Sequence, residues 1–243
     1  MNRTERQSYQ LFETLPARVF GVLRYPRAVF SALIDRPRSA DVMICTFVVL
    51  LVCGVGLMVT DVGRQALVDQ WERAAIAFGR PVDDAQYARF EELSEDGPLY
   101  AAGNALAVGP VLALGLAGLM YAIFTGALGG RGSYRQNVAI VAHAGVILAI
   151  RQLVASPVAY AQETLASPLT LTRFFPMLDE ASPAARFLGV IDLFVVWWVV
   201  VVAIGIALLY GRPMRRTALT FVGAYVGFAA LLAIAMVLTG GTA

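Results

Sequence analysis

The 243-residue sequence has no lysine and a single histidine, His143. It has two cysteines, Cys45 and Cys53, and only 15% of its residues are charged. Each scarcity excludes something. One histidine cannot build the paired-histidine motif of a zinc protease, and no cysteines or carboxylates cluster near it to complete a metal site. The cysteines stand eight positions apart in one apolar run, about 12 Å along a helix axis, which is beyond disulfide reach. They read as small buried or lipid-facing residues. The net charge of +2, without a basic stripe carrying interleaved aromatics, argues against nucleic-acid binding. The charged fraction falls well below the roughly 25% of soluble domains.

What the chain has instead is apolar length. Apolar residues make up 58% of it and gather in five runs, at about 40–60, 100–128, 138–156, 187–210 and 217–239. Each approaches or exceeds the ~20 residues that cross a hydrocarbon core. Backbone groups in lipid must pair within their own segment, so each run is expected to be a helix. The expected fold is therefore an all-α membrane bundle of five transmembrane helices over residues 40–239. The first 39 residues hold seven arginines and no apolar stretch of signal-peptide length, so no cleaved leader is expected.

Charge alternates along the connections. Residues 1–39 carry seven Arg and three acids, and residues 61–99 carry four Arg and nine acids. The turn after the second run has Arg131 and Arg135 and no acid. The next loop balances Arg173 and Arg186 against Glu163, Asp179 and Glu180. The last turn has Arg212, Arg215 and Arg216 and again no acid. The positive-inside rule then places the N-terminus and the two Arg turns in the cytoplasm and residues 61–99 outside as an acidic outer loop. The C-terminus is expected to be periplasmic or extracellular, and a bacterial inner membrane is the expected location.

Residues 16–38 interleave arginines with Val19, Phe20, Val22, Leu23, Val29, Phe30, Leu33 and Ile34 at spacings of three and four. That periodicity predicts an N-terminal amphipathic helix in the headgroup plane, with Pro26 opening a second helix and Arg36-Pro37 closing it. Arg24, Arg27, Arg36, Arg38, Arg131, Arg135, Arg212, Arg215 and Arg216 are candidate contacts for lipid phosphates. In the outer loop, two helix-like stretches flank Gly79-Arg80-Pro81. Pro157, Pro168, Pro176 and Pro183 are expected to keep the second outer loop from forming one long helix.

Ionisable residues within apolar runs are costly and become functional candidates. Arg151 lies five residues before the outer end of the third run, and Asp192 five residues into the fourth. Equal depth on antiparallel neighbours predicts a buried ion pair. Such a pair would act as a clamp on helix register or as a gate or proton-coupled site; lacking a second buried carboxylate, the clamp is favoured. His143 is a candidate intramembrane polar site, expected to donate to a carbonyl on a neighbouring helix. The turn Gly129-Gly130-Arg131-Gly132-Ser133-Tyr134-Arg135 lacks phosphate-loop spacing and reads as a tight hairpin. Gly223 and Gly227 have small-residue helix-contact spacing. Ser133, ten residues before His143 and outside the run, does not complete a nucleophile–base pair. No catalytic set and no cofactor are expected.

The order of segments, with YPRAVFSALIDRPRS before the first run, the GGRGSYRQ turn and Asp192-Leu193-Phe194 followed by Trp197, resembles the Yip domain family (Ypt/Rab-interacting-protein type membrane proteins), in particular its bacterial branch. The resemblance covers roughly residues 24–235. It implies a five-pass membrane fold and, for eukaryotic members, contacts with prenylated Rab-type GTPases and with one another. The Asp-Leu-Tyr-Gly-Pro signature of those members is missing here; Asp96-Gly97-Pro98-Leu99-Tyr100 has the same letters in another order. No small-GTPase partner is therefore expected. Two readings remain. One is a non-enzymatic membrane organiser or partner-binding subunit that contacts lipids, other membrane proteins or itself. The other is a small transporter or lipid-handling protein with a polar site near Arg151, Asp192 and His143. The odd number of runs, which forbids a simple two-half repeat, favours the organiser.

Overall fold

A computed structural model describes residues 12–179 and 182–239. The start of the basic N-terminal segment, with Arg3 and Arg6, lies outside the described residues, as do Glu180 and the C-terminal Ala243. Among the described residues, besides a 3-10 turn at Leu171–Phe174, ten helices follow one another: α1 (Leu15–Arg24), α2 (Pro26–Asp35), α3 (Ala40–Met58), α4 (Asp61–Ala77), α5 (Asp84–Ser94), α6 (Gly97–Ala127), α7 (Tyr134–Gln162), α8 (Pro183–Val190), α9 (Leu193–Leu209) and α10 (Met214–Thr239). Among the described residues there is no strand, only one antiparallel bridge between Thr170 and Asp192.

Four helices, α3, α6, α7 and α10, are long and apolar enough to cross a membrane. Only 11% of the most apolar window is buried in α6 and in α10, against 50% in α7. Helices that are apolar all round and uncovered by protein belong in lipid. The chain is thus an integral, multi-pass membrane protein. The fourth predicted run, 187–210, is not one helix. It is divided into α8 and the 17-residue α9 by an extended Ile191 at φ −87°, ψ 106°.

Two further helices each carry a proline within them. Pro110 does not break α6, because the turn ahead of it, Asn104–Val108, widens into π geometry. Pro110 has no N–H for the Leu106 carbonyl and its ring crowds that oxygen; a wider turn relieves both. The third run, predicted as 138–156, begins at Tyr134 and passes through Pro157 to Gln162. It stops where Glu163 turns left-handed at φ 53° and the Thr164 N–H donates back to the Ala159 carbonyl at 3.1 Å, a Schellman-type closure.

Two compact units are formed. The first contains the described residues up to Val49 together with Leu106–Ile150 and Trp197–Val222. Here α1 and α2 pack on each other and on α7, burying Val22, Val29, Phe30 and Leu33. The amphipathic segment predicted to lie on lipid is therefore two short helices whose apolar stripe is largely occupied by protein; Phe20 and Tyr25 stay exposed. Val42, Ala142 and Val146 form a core with Leu15, Val19 and Leu23 against them. The Gln136 side-chain amide donates to the Ile34 carbonyl at 2.7 Å, fixing the end of α2 on the start of α7.

The second unit contains Leu50–Ala105, Arg151–Val196 and the residues from Gly223 onward. In it the acidic loop is helical. The Thr60 hydroxyl accepts from Gly63 N–H at 3.0 Å to cap α4, and Asp83 accepts from Gln86 N–H at 2.7 Å to cap α5. Both caps satisfy amides that a helix start leaves unpaired. Trp71 meets Phe90 and Tyr100, its ring centroid 5.9 and 6.2 Å from theirs. Leu57, Met58 and Ala159 make the core beneath, with Leu67, Ala101 and Leu165 packed on it.

Candidate functional site

The break between α8 and α9 builds the first polar cluster. Asp192 precedes α9, its carbonyl accepting the first intrahelical bond, from Val196 N–H at 2.9 Å. Its Oδ1 accepts from Phe194 N–H at 2.8 Å and Val195 N–H at 3.4 Å, which is N-cap geometry. Its Oδ2 accepts from Arg151 Nε at 2.8 Å and from the Ser167 hydroxyl at 2.6 Å. Asp192 N–H donates to the Tyr225 hydroxyl at 3.2 Å, and that hydroxyl donates to the Val190 carbonyl at 2.8 Å. Leu171 N–H donates to Ile191 O at 2.9 Å and Leu193 N–H to Leu169 O at 3.1 Å, stitching the loop to the break. Asp192 is therefore not five residues into a helix but the cap that starts one. A buried carboxylate with amide donors restarts a helix where the chain has turned extended.

A second cluster is made by the glycine turn. Tyr210 stacks on Phe124 with centroids 5.0 Å apart. Its hydroxyl lies 3.0 Å from the Thr125 hydroxyl and accepts from Asn137 Nδ2 at 2.8 Å. Gly130 and Gly132 lie against the Tyr210 ring so closely that a Cβ would fall 2.5 Å from it at Gly130 and 2.7 Å from it at Gly132. The glycines are there because the ring leaves no room for a side chain. Ser133 and Gln136 then form a reciprocal capping box that starts α7.

A third pair lies at the base of α3. Arg18, 2% exposed, is ion-paired with Asp41, whose side chain is 48% exposed. The apolar surroundings of Arg18 make this pairing obligatory, since an unpaired charge there is costly. His143 is fully buried, with Nδ1 2.8 Å from the Ala139 carbonyl of its own helix. Its partner is thus in its own preceding turn, not on a neighbouring helix.

Among the predicted residues, Arg151 and Asp192 are brought together, while His143 belongs to the other compact unit. Arg24, Arg27, Arg36, Arg38, Arg131, Arg135, Arg212, Arg215 and Arg216 are all exposed, and Arg24 lies 5.8 Å over the Tyr25 ring. Gly223 and Gly227 face open space, with nothing within 4 Å of a notional Cβ. Sequence reasoning missed Arg18, Asn137, Ser167, Tyr210 and Tyr225. Of these, Tyr210 carried a signal, an aromatic hydroxyl at the end of an apolar run just before a Gly-Arg-Pro turn.

The Yip1 domain family model matches residues 20–237. The chain belongs to the Yip1 domain family. The matched Yip1 region begins inside α1 and ends near the close of α10, so it contains the glycine turn, the Asp192 cap and both ends of the Arg151 pairing. It says nothing of a bacterial branch. No curated protein and no solved structure matches the chain.

Proposed function

We propose that this Yip1 domain protein is a non-enzymatic membrane organiser or partner-binding subunit. It crosses a bacterial inner membrane five times, α9 being the fourth pass, with its N-terminus in the cytoplasm and its C-terminus outside. It binds other membrane proteins, or further copies of itself, along lipid-facing helices, and meets anionic lipid through its arginine turns. One observation carries this reading. The carboxylate of Asp192 spends both oxygens on four donors of its own chain. A transport or catalytic carboxylate has to exchange partners, whereas one committed to capping and cross-linking holds a shape.

A second reading, a small transporter or lipid-handling protein, draws on His143. Its ring is fully buried and Nε2 has no hydrogen-bond partner among the described residues. Co-purification from native membranes in mild detergent, with cross-linking before extraction, separates the two. The organiser reading expects a specific membrane protein, or a second copy, at near-stoichiometric yield. A protein that purifies alone and is stabilised by a small solute supports the second reading and overturns the first.

A further inference from the structure

We propose that the groove between the start of α3, the middle of α6 and the start of α7 is a binding site for one anionic glycerophospholipid. This deepens the lipid contact included above and rests on reading α3, α6 and α7 as membrane spans. It does not depend on any protein partner.

The groove is open, with a volume of about 640 Å³, within the range of sites that take a small ligand or a lipid headgroup with its glycerol. Arg38 and Arg135 line it. Both are exposed, and neither has a hydrogen-bond or ion-pair partner among the described residues. The one acid in the lining, Asp41, is already ion-paired with the buried Arg18. The groove therefore offers two uncommitted guanidinium groups, each suited to a phosphate oxygen pair. The first turns of α3 and α7 add positive potential at the same place.

Charge alone would suit any soluble anion, and the walls argue for lipid. Leu114 and Val138 form the apolar part of the lining, continuous with helices whose apolar faces belong in hydrocarbon. Tyr134 is held between them, its hydroxyl donating to the Leu114 carbonyl at 3.2 Å. A phosphate at Arg38 and Arg135 would thus have its glycerol and first acyl carbons against Leu114 and Val138. This combination of a charged rim and an apolar floor fits an anionic phosphoglyceride better than a zwitterionic one, whose cationic end the arginines would repel.

The test uses the full chain in nanodiscs of phosphatidylglycerol or phosphatidylcholine, with retained lipid counted by native mass spectrometry after detergent exchange. The expected result is retention of phosphatidylglycerol over phosphatidylcholine, reduced about tenfold by R38Q/R135Q through loss of two charge-assisted contacts. R80Q/R89Q, at exposed positions of the acidic loop, should leave retention unchanged. Arg135→Gln alone, at an exposed position, keeps the test open if the double variant misfolds, and should give an intermediate loss. Equal retention of the two lipids, or equal loss in the R80Q/R89Q control, overturns the site. Stabilisation by soluble glycerol 3-phosphate as large as that by phosphatidylglycerol overturns the lipid assignment. Co-purification of a protein partner should be unchanged in R38Q/R135Q, so failure of the organiser reading and failure of this one are separately visible.

Discussion

The Asn137 side-chain amide donates to the Tyr210 hydroxyl at 2.8 Å while also donating to the Ser133 carbonyl at 2.9 Å. One side chain thereby ties the start of α7 both to its own capping turn and to the end of α9. Around this contact the glycine turn loses its freedom. Gly130 and Gly132 touch the ring, Thr125 meets the hydroxyl, and Gln136 reaches the end of α2.

Gly132→Ala should therefore destabilise the protein by ~1–3 kcal/mol through overpacking against Tyr210. Tyr210→Phe, which removes only the hydroxyl and leaves Asn137 with one remaining partner, should cost about 1 kcal/mol. Thermal unfolding in detergent orders the two. Gly132→Ala combined with Tyr210→Ala should be less than additive, because truncating the ring removes the overlap. Strict additivity would show that the ring and the turn are not in contact.

Arg151 and Asp192 should behave as a coupled pair. Asp192→Asn keeps shape but weakens the acceptor for Arg151, Ser167 and two amides, and Arg151→Gln removes one donor from a side chain that is 30% exposed. The aspartate change should be the more damaging. The double variant should fall short of the sum by about 0.5–3 kcal/mol, the range for residues sharing one network. Ser167→Ala should give a smaller loss, near the ~1 kcal/mol of one hydrogen bond. Additive unfolding free energies would dissolve the cluster into independent contacts.

How legible these features were depends on what kind of residue carries them. Arg151 and Asp192 could be paired from the sequence because two opposite charges stand out in apolar runs. Ser167 and Tyr225 could not, since a neutral hydroxyl looks the same whether it faces solvent or closes a network. The break at Ile191 was hidden for a related reason. The run 187–210 is apolar on both sides of it, and hydropathy reports solvent preference rather than backbone conformation. Pro157 misled in the opposite direction, because losing one donor within a long helix is tolerable when a left-handed residue further on supplies the stop. In the sequence Arg18 is one more arginine of a basic segment, and only the packing of α1 and α2 on α7 shows that it is buried.

The Arg18–Asp41 pair predicts an asymmetry. Asp41→Asn leaves a guanidinium that is 2% exposed without its counter-charge, a change in the ~3–5 kcal/mol class for breaking a buried pair. Arg18→Met leaves an Asp41 side chain that is 48% exposed and open to hydration, so its cost should be about 1 kcal/mol or less. Limited proteolysis within residues 12–38 provides a local readout. Cleavage should be strongly enhanced in Asp41→Asn and only slightly in Arg18→Met. Equal enhancement would mean that the pair is not buried as a unit.

Topology makes the last prediction. Arg131 and Arg135 in one turn, and Arg212, Arg215 and Arg216 in the other, are exposed with no acid beside them, whereas residues 61–99 carry nine acids. Positive-inside orientation requires both arginine turns on the cytoplasmic side. Cysteines introduced at Gly129 and Gly211, in a background where Cys45 and Cys53 are serine, should be shielded from a membrane-impermeant thiol reagent in intact cells and labelled after permeabilisation. A cysteine at Glu91 should be labelled without permeabilisation. A C-terminal reporter fusion should be active on the outer side only if α9, with its 17 residues, completes a crossing. A cytoplasmic C-terminus, with Gly129 shielded and Gly211 labelled in intact cells, would mean that the chain crosses four times and that α9 with α8 forms a re-entrant pair closed by Asp192.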